Sequence, residues 1–203
     1  MHKLYEKSIV TKLAKYLSKT TRYRIEYWTN YVLRSSRAFP TRPEIDLIIC
    51  RIEKGERVLP ILGAEVKYIH TTKDGIISPS YYSGLDEALA LLLLGFDSVL
   101  LIHIAEKGLL TTAFLDYAKI LSSMIRVLRL PMGYRVYAFS VSGSDIFFYR
   151  SVELRTGSII RLENLWVKPP LNPLLTDSSG LGRLVKENRE VLARALGIRL
   201  NRL

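Results

Sequence analysis

Two short stretches of the chain carry charged side chains at a spacing that suits metal-dependent hydrolysis. Residues 43–50 read PEIDLIIC and residues 63–69 read GAEVKYI. Successive side chains of a strand point to opposite faces, so Asp46 should point away from its apolar neighbours, while Glu65 and Lys67 should share one face. The charged stretch 53–57, which contains Gly55, is expected to form a turn, and a hairpin there would bring Asp46 and Glu65 side by side, with one amine next to them.

Such a group of charges predicts a site for a divalent cation. Burying two carboxylates together costs several kcal/mol unless basic groups or a metal ion offset their charge. Carboxylate oxygens suit Mg²⁺ or Mn²⁺, which also bind phosphate oxygens. In that arrangement a bound cation would polarise a phosphodiester and activate a water, and Lys67 would orient the water and offset charge developing on phosphorus.

Two alternatives apply to these residues. Surface strands often alternate acids and bases as cross-strand pairs, so Glu65 and Lys67 could form an ordinary ion pair. Glu44 is a second acid near Asp46. We favour Asp46 as the ligand because it lies inside the apolar run, whereas Glu44 stands at the beginning of that run.

The surrounding pattern predicts the elements that would hold these residues. Apolar residues at helical spacing indicate a first helix over 4–17. Strands are expected at 23–33, 45–52 and 59–69, then a helix over 81–94 with Ser78 or Ser80 as its cap and Gly95 at its end. Further segments are expected in the following order: a strand at 98–104, a helix over 112–128, strands at 134–141 and 146–149, and a last helix over 181–196.

This order of elements and the acidic motif resemble the PD-(D/E)XK nuclease superfamily. The likeness covers about residues 1–105. It implies an α/β fold with a restriction-endonuclease-like three-layer core, in which a central mixed sheet is flanked by helices in the order α-β-β-β-α-β, here followed by a C-terminal helical extension. Archaeal Holliday-junction resolvases and restriction-like endonucleases share that core.

The resemblance also implies roles for individual residues. Asp46 fills the first acidic position, Glu65 the second and Lys67 the lysine, with the Val66 carbonyl as an additional metal ligand. Many members carry an acid on the first helix, where this chain has Glu6; as an alternative, Glu6 could pair with Lys3 or Lys7. Some branches add a glutamine on the helix after the third strand, but this chain contains none and has Tyr81, Tyr82 and Asp86 in that region.

The charge of the chain predicts a polyanionic partner. Thirty Lys and Arg against nineteen Asp and Glu give a formal net charge of +11, spread along the whole sequence. The family likeness makes that partner DNA, and the residues we expect to contact it are Arg37, Arg42, Lys73 and Tyr82. A basic balance could instead confer solubility or suit an acidic membrane surface, and a non-catalytic nucleic-acid-binding protein with a nuclease-like fold is the alternative function.

Three further residues have a structural and a chemical interpretation. His103 lies inside the apolar run VLLIHIA, and this context favours a hydrogen-bonded core histidine over a metal ligand. His70 follows the second motif and is a candidate for phosphate contact or proton transfer. Cys50, the only cysteine, is expected to be a small buried hydrophobic residue and excludes a disulfide framework.

The remaining composition bears on location and domain organisation. The early charges at the N-terminus do not fit a secretory signal, and the most apolar stretch, 88–104, is interrupted by Gly95 and Asp97, so we expect a cytoplasmic protein without a membrane span. The absence of glutamine hints at a thermophile.

Residues 1–166 are expected to form the nuclease-like domain, and residues 167–203 a proline-rich connector and basic helix. That helix could clamp nucleic acid, cover the sheet or pair with a second copy in a homodimer.

Overall fold

A computed structural model of the chain describes residues 6–33, 42–71, 77–78, 82–153 and 157–198. The four α-helices within these ranges are α1 (Glu6–Thr20), α2 (Leu85–Leu93), α3 (Thr112–Val127) and α4 (Gly180–Ala195). The strands are β1 (Ile25–Val32), β2 (Glu44–Glu53), β3 (Glu56–Thr71), β4 (Ile77–Ser78), β5 (Ser98–Glu106), β6 (Gly133–Ser142), β7 (Asp145–Tyr149), β8 (Ser151–Glu153) and β9 (Ile159–Arg161).

The fold is α/β and is built on one mixed sheet. Six strands follow the order β1-β2-β3-β5-β6-β7, and β4 adds to β3 beside that path. The strands β1, β2 and β3 form an antiparallel meander, whereas β5 runs parallel to both β3 and β6. A separate hairpin joins β8 to β9. The predicted order of helix, three strands, helix and strand is therefore observed, apart from the two-residue strand β4.

Helices cover both faces of the sheet. The buried face of α1 packs with Ala64, Val66 and Leu100 on one side. On the other side, α2, α3 and α4 pack over a larger cluster that includes Ile61 and Leu101. Side chains of β3 alternate between these two clusters, and this alternation directs Glu65 and Lys67 toward the α2 side. The layering predicted for the fold is thus present in the described residues.

The hairpin that joins the two motif stretches is short. Glu53 pairs with Glu56 across a turn formed by Lys54 and Gly55, both of which have positive φ. This matches the charged turn expected from the sequence. The strict alternation expected for β2 fails at Ile45, which packs in the α2-side cluster with Ile48 rather than with Leu47 on the α1 side.

The start of α2 differs from the prediction. The helix begins at Leu85 rather than at residue 81, and its N-cap is Gly84, with φ of 85° and no side-chain cap. Ser78 is not the cap, because it lies in β4 opposite His70; Ser80 lies outside the described residues. The apolar pattern extended the predicted helix into the preceding turn at residues 82–84, where a left-handed glycine redirects the chain.

The C-terminal helix is anchored to the sheet through buried polar contacts. Arg189 of α4 donates through Nε to Asp97 Oδ1 at 2.7 Å, and Asp97 Oδ2 accepts from the Ile61 N–H at 2.7 Å. Asn188 donates to the Leu93 carbonyl at the end of α2. Of the uses considered for this helix, covering the sheet is therefore observed. Within the described residues, no helix is both long and apolar enough to cross a membrane.

Candidate active site

The site is built where the antiparallel ladder between β2 and β3 ends. The last pair of that ladder is Leu47 with Ala64, although β2 continues toward Glu44 through its pairing with β1. Beyond that pair, the β3 edge that faces β2 needs other hydrogen-bond acceptors. Side chains supply them: Asp46 Oδ2 accepts from the Val66 N–H at 2.9 Å, and Glu6 Oε1 accepts from the Tyr68 N–H at 3.3 Å.

The carbonyl of Val66, a buried residue, points toward the same gap. The N–H and C=O of one strand residue point to the same edge, so the carbonyl of Val66 faces the side on which Asp46 binds its N–H. The family resemblance gave Val66 a role as an additional ligand. The strand geometry is compatible with that role.

Asp46 and Glu65 are neighbouring acids beneath the gap. Burial raises the pKa of Asp46, although hydrogen bonds with Val66 and Glu65 oppose that effect. Burial and the neighbouring charge of Asp46 raise the pKa of Glu65 to about 8. The two carboxylates therefore resist being ionised together near neutral pH, which is the electrostatic situation that a divalent cation relieves.

Lys67 lies beside this pair and is held by two acids. Its Nζ is 2.7 Å from Glu65 Oε1 and 2.6 Å from Glu87 Oε2. Burial alone would lower the pKa of Lys67, but the hydrogen bonds to these carboxylates outweigh it and raise the pKa, so the amine stays charged. Lys67 therefore serves as a fixed cation at this place and not as a proton acceptor.

The four predicted catalytic residues line one pocket of about 410 Å³. They are Glu6, Asp46, Glu65 and Lys67, which come from α1, β2 and β3. The remaining lining residues are Lys7, Asn30, Pro43, Glu44, Glu87, Ala90, Leu91 and Leu94. The alternation of side chains along the two strands predicted that Asp46, Glu65 and Lys67 would lie together, and they do. Their catalytic roles remain predictions.

The two rival acids occupy different positions. Glu44 forms an ion pair with Lys7 and its side chain is 41% exposed, so it stands at the rim. Asp46 is inside and bonds to the β3 backbone. Glu6 contacts the Tyr68 backbone and does not pair with Lys7; Lys3, its other suggested partner, lies outside the described residues.

His103 is a core histidine, as the apolar strand indicated. Its Nε2 lies 3.2 Å from the Ser83 carbonyl and its Nδ1 lies 3.0 Å from the Tyr134 hydroxyl. Because a carbonyl only accepts, Nε2 carries the proton and Nδ1 accepts from Tyr134. Burial lowers the pKa of His103 to about 4 and keeps the ring neutral.

The residues predicted to contact nucleic acid are only partly described. Arg42 is exposed immediately before Pro43 of the pocket. Tyr82 is 57% exposed, and its hydroxyl lies 3.2 Å from that of Tyr117. Arg37 and Lys73 lie outside the described residues.

Two further candidates from the sequence occupy ordinary structural positions. His70 lies on β3 three residues after Lys67 and stacks on Tyr68 with ring centroids 5.0 Å apart. Cys50 is buried, as expected, and burial raises the pKa of its thiol to about 12, so the thiol is unreactive at neutral pH.

Glu87 is a charged pocket residue that the sequence prediction missed. The helix was expected, but its acid at position 87 was not singled out. Its spacing contained the signal, since Glu87 stands four and seven residues before the apolar Leu91 and Leu94 and so shares their side of the helix. A charge in phase with an apolar stripe is unusual unless a partner lies opposite, and here that partner is Lys67.

The donor set fits a hard divalent cation. The described residues contain no group of three or more His, Cys, Asp and Glu side chains arranged to hold a metal. Mg²⁺, however, is commonly bound by one or two carboxylates and completed by water and substrate phosphate. Asp46 and Glu65, with the Val66 carbonyl, provide that smaller set.

Comparisons with known proteins leave the family open. No protein-family model, no curated protein and no solved structure matches this chain. The resemblance to PD-(D/E)XK nucleases therefore depends on the motif, the order of elements and the convergence of the acids with Lys67.

Proposed function

We propose that the protein is a metal-dependent DNA endonuclease of the PD-(D/E)XK type that hydrolyses phosphodiester bonds. The observation that carries the proposal is the convergence of Asp46, Glu65 and Lys67 in one pocket, at the place where β2 separates from β3. A purely structural ion pair between Glu65 and Lys67 on β3 would not require a second buried acid beside it.

The residues divide the chemistry among them. Asp46 and Glu65 would hold Mg²⁺ or Mn²⁺, with the Val66 carbonyl as a third oxygen donor. A cation bound there supplies Lewis-acid activation of the phosphate and of a water. Lys67 offsets negative charge that develops on phosphorus and orients the attacking water, because it remains charged beside the acids.

The basic surface supplies the affinity for the substrate. Glu6 and Glu44 add negative charge at the pocket rim, so phosphate binding depends on cations around it as well as on the metal. Lys7 lines the pocket and Arg42 is exposed nearby. The net charge of +11 supports attraction of a polyanion over a longer range.

Cleavage assays on plasmid, branched and single-stranded DNA with Mg²⁺, Mn²⁺ or EDTA test this function. We expect cutting that needs the cation and is lost in Asp46→Ala. Glu44→Ala is the matched control, since it removes an acid from the same strand but at the rim. Cleavage that persists in Asp46→Ala refutes the assignment, and salt-sensitive DNA binding without cutting would favour the non-catalytic alternative.

A further inference from the structure

The ammonium group of Lys67 has one acidic partner more than the proposed chemistry requires. Glu65 lies on the same strand, but Glu87 reaches Lys67 from α2 across the pocket, at 2.6 Å. The Lys67 side chain is 19% exposed and that of Glu87 51% exposed. Glu87 therefore approaches the amine from the open side of the pocket.

The turn before α2 fixes the approach of Glu87. A Cβ on Gly84 would lie 3.0 Å from Cγ and Cε of Lys67, so the glycine allows the lysine stem to pass directly against the backbone. The carbonyl of Ser83 accepts from His103 Nε2, and His103 stands on β5 in register with Lys67. The sheet thus holds both the amine and the start of the helix that carries Glu87.

The charges explain why a second acid is useful. Asp46, Glu65 and Glu87 carry three negative charges when ionised, against one positive charge on Lys67. If the negative charge of Glu87 balances the positive charge of Lys67, the two negative charges of Asp46 and Glu65 remain to balance a divalent cation. If Glu87 were absent, Lys67 would pair only with Glu65 and compete with a cation for the same carboxylate.

We propose that Glu87 is a positioning residue that keeps the Lys67 ammonium at the pocket when Glu65 turns its oxygen to a bound cation. This inference rests on the proposed function. It assigns Glu87 a role in cation affinity and in the placement of Lys67, with no contact to the reacting atoms. Outer partners of this kind typically change metal affinity or activity by about 10- to 100-fold when removed.

A paired set of variants tests the inference. Glu87→Ala removes the acceptor, Glu87→Gln keeps an amide oxygen that can accept from the ammonium, and Asp86→Ala removes the adjacent exposed acid from the same first turn of α2. Mn²⁺ affinity is measured by calorimetry without DNA. We expect Glu87→Ala to weaken it about 10-fold, Glu87→Gln to restore most of the loss, and Asp86→Ala to match the wild type. Thermal melting checks that each variant is folded.

The outcomes separate this inference from the proposed function. Equal Mn²⁺ affinity in Glu87→Ala and Asp86→Ala overturns the positioning role even if the wild type cleaves DNA. If the wild type binds Mn²⁺ but does not cleave DNA, the nuclease function is wrong. The Mn²⁺ titrations of the variants then still decide the role of Glu87. A crystal structure with Mn²⁺ should show Nζ of Lys67 on Glu87 and released from Glu65; Lys67 retained on Glu65 contradicts the inference, and absence of Mn²⁺ binding overturns both proposals.

Discussion

Asp46 Oδ2 accepts a hydrogen bond from the Val66 backbone N–H at 2.9 Å, at the point where β2 and β3 separate. One carboxylate oxygen thus replaces a missing ladder bond, while the group as a whole lines the pocket. The same residue therefore contributes to stability and to the proposed chemistry, and different substitutions should separate the two contributions.

Asp46→Ala and Asp46→Asn should differ in stability but not in activity. Alanine leaves the Val66 N–H without its acceptor, at a cost of about 1–3 kcal/mol, whereas the asparagine carbonyl can still accept. Both changes remove the anionic ligand, so both should lower cleavage by about a hundredfold or more. Urea unfolding and cleavage rates measure the two effects. Equal stability of the two variants would show that the hydrogen bond contributes nothing measurable.

Glu65→Gln should stabilise the metal-free protein at alkaline pH. The pKa of Glu65 rises from 4.5 to about 8 on folding, so the folded state binds more protons than the unfolded state between these values. The free energy of unfolding of the wild type should therefore fall as pH rises through this window, and the variant lacks that loss.

The expected gain is at most about 4–5 kcal/mol at about pH 8.5 and below about 1 kcal/mol at about pH 5. Denaturant unfolding in EDTA at both pH values measures it. Glu56→Gln, an exposed acid on the same strand, serves as control. A gain that is independent of pH would contradict the electrostatic explanation.

Gly84→Ala should cost more stability than Gly55→Ala. Both glycines have nearly the same positive φ, 85° and 86°, but a Cβ on Gly55 meets no atom within 4 Å. A Cβ on Gly84 would lie 2.8 Å from Leu101 Cδ1 and 3.0 Å from the Lys67 stem. We expect about 1 kcal/mol for the hairpin glycine and about 3 kcal/mol for Gly84, from backbone strain plus overpacking.

Thermal or denaturant unfolding compares the two glycine variants directly. Since Gly84 contacts Lys67, its replacement should also lower cleavage, whereas the change at Gly55 should not. If Gly84→Ala is no more harmful than Gly55→Ala, the close contact with Lys67 has no energetic importance.

Asp97→Ala should destabilise the anchoring of α4. Asp97 is 5% exposed and accepts both from Arg189 and from the Ile61 N–H. Removing the acid leaves a mostly buried guanidinium without its partner, which costs about 3–5 kcal/mol. Arg189→Ala should be comparably harmful, and the double variant should lose less than the sum of the two. Additive losses measured by urea unfolding would mean that the pair is not coupled.

Much of the site could be predicted because strand geometry is local. The alternation of side chains along residues 43–50 and 63–69 predicted the directions of Asp46, Glu65 and Lys67, and the charged turn made a hairpin the simplest connection. The main elements followed from the same periodicities. Their ends did not, as the late start of α2 at Leu85 shows, because a positive φ at Gly84 leaves little trace in an apolar pattern.

The sequence by itself therefore determined which charged groups face the same side of two neighbouring strands. Only the tertiary structure decided that β2 and β3 part beside Val66, that Glu87 reaches Lys67, and that His103 holds the turn before α2. These contacts join residues about 20 positions apart that lie on different elements. Their existence depends on how the helix packs against the sheet, and no period along the chain encodes that packing.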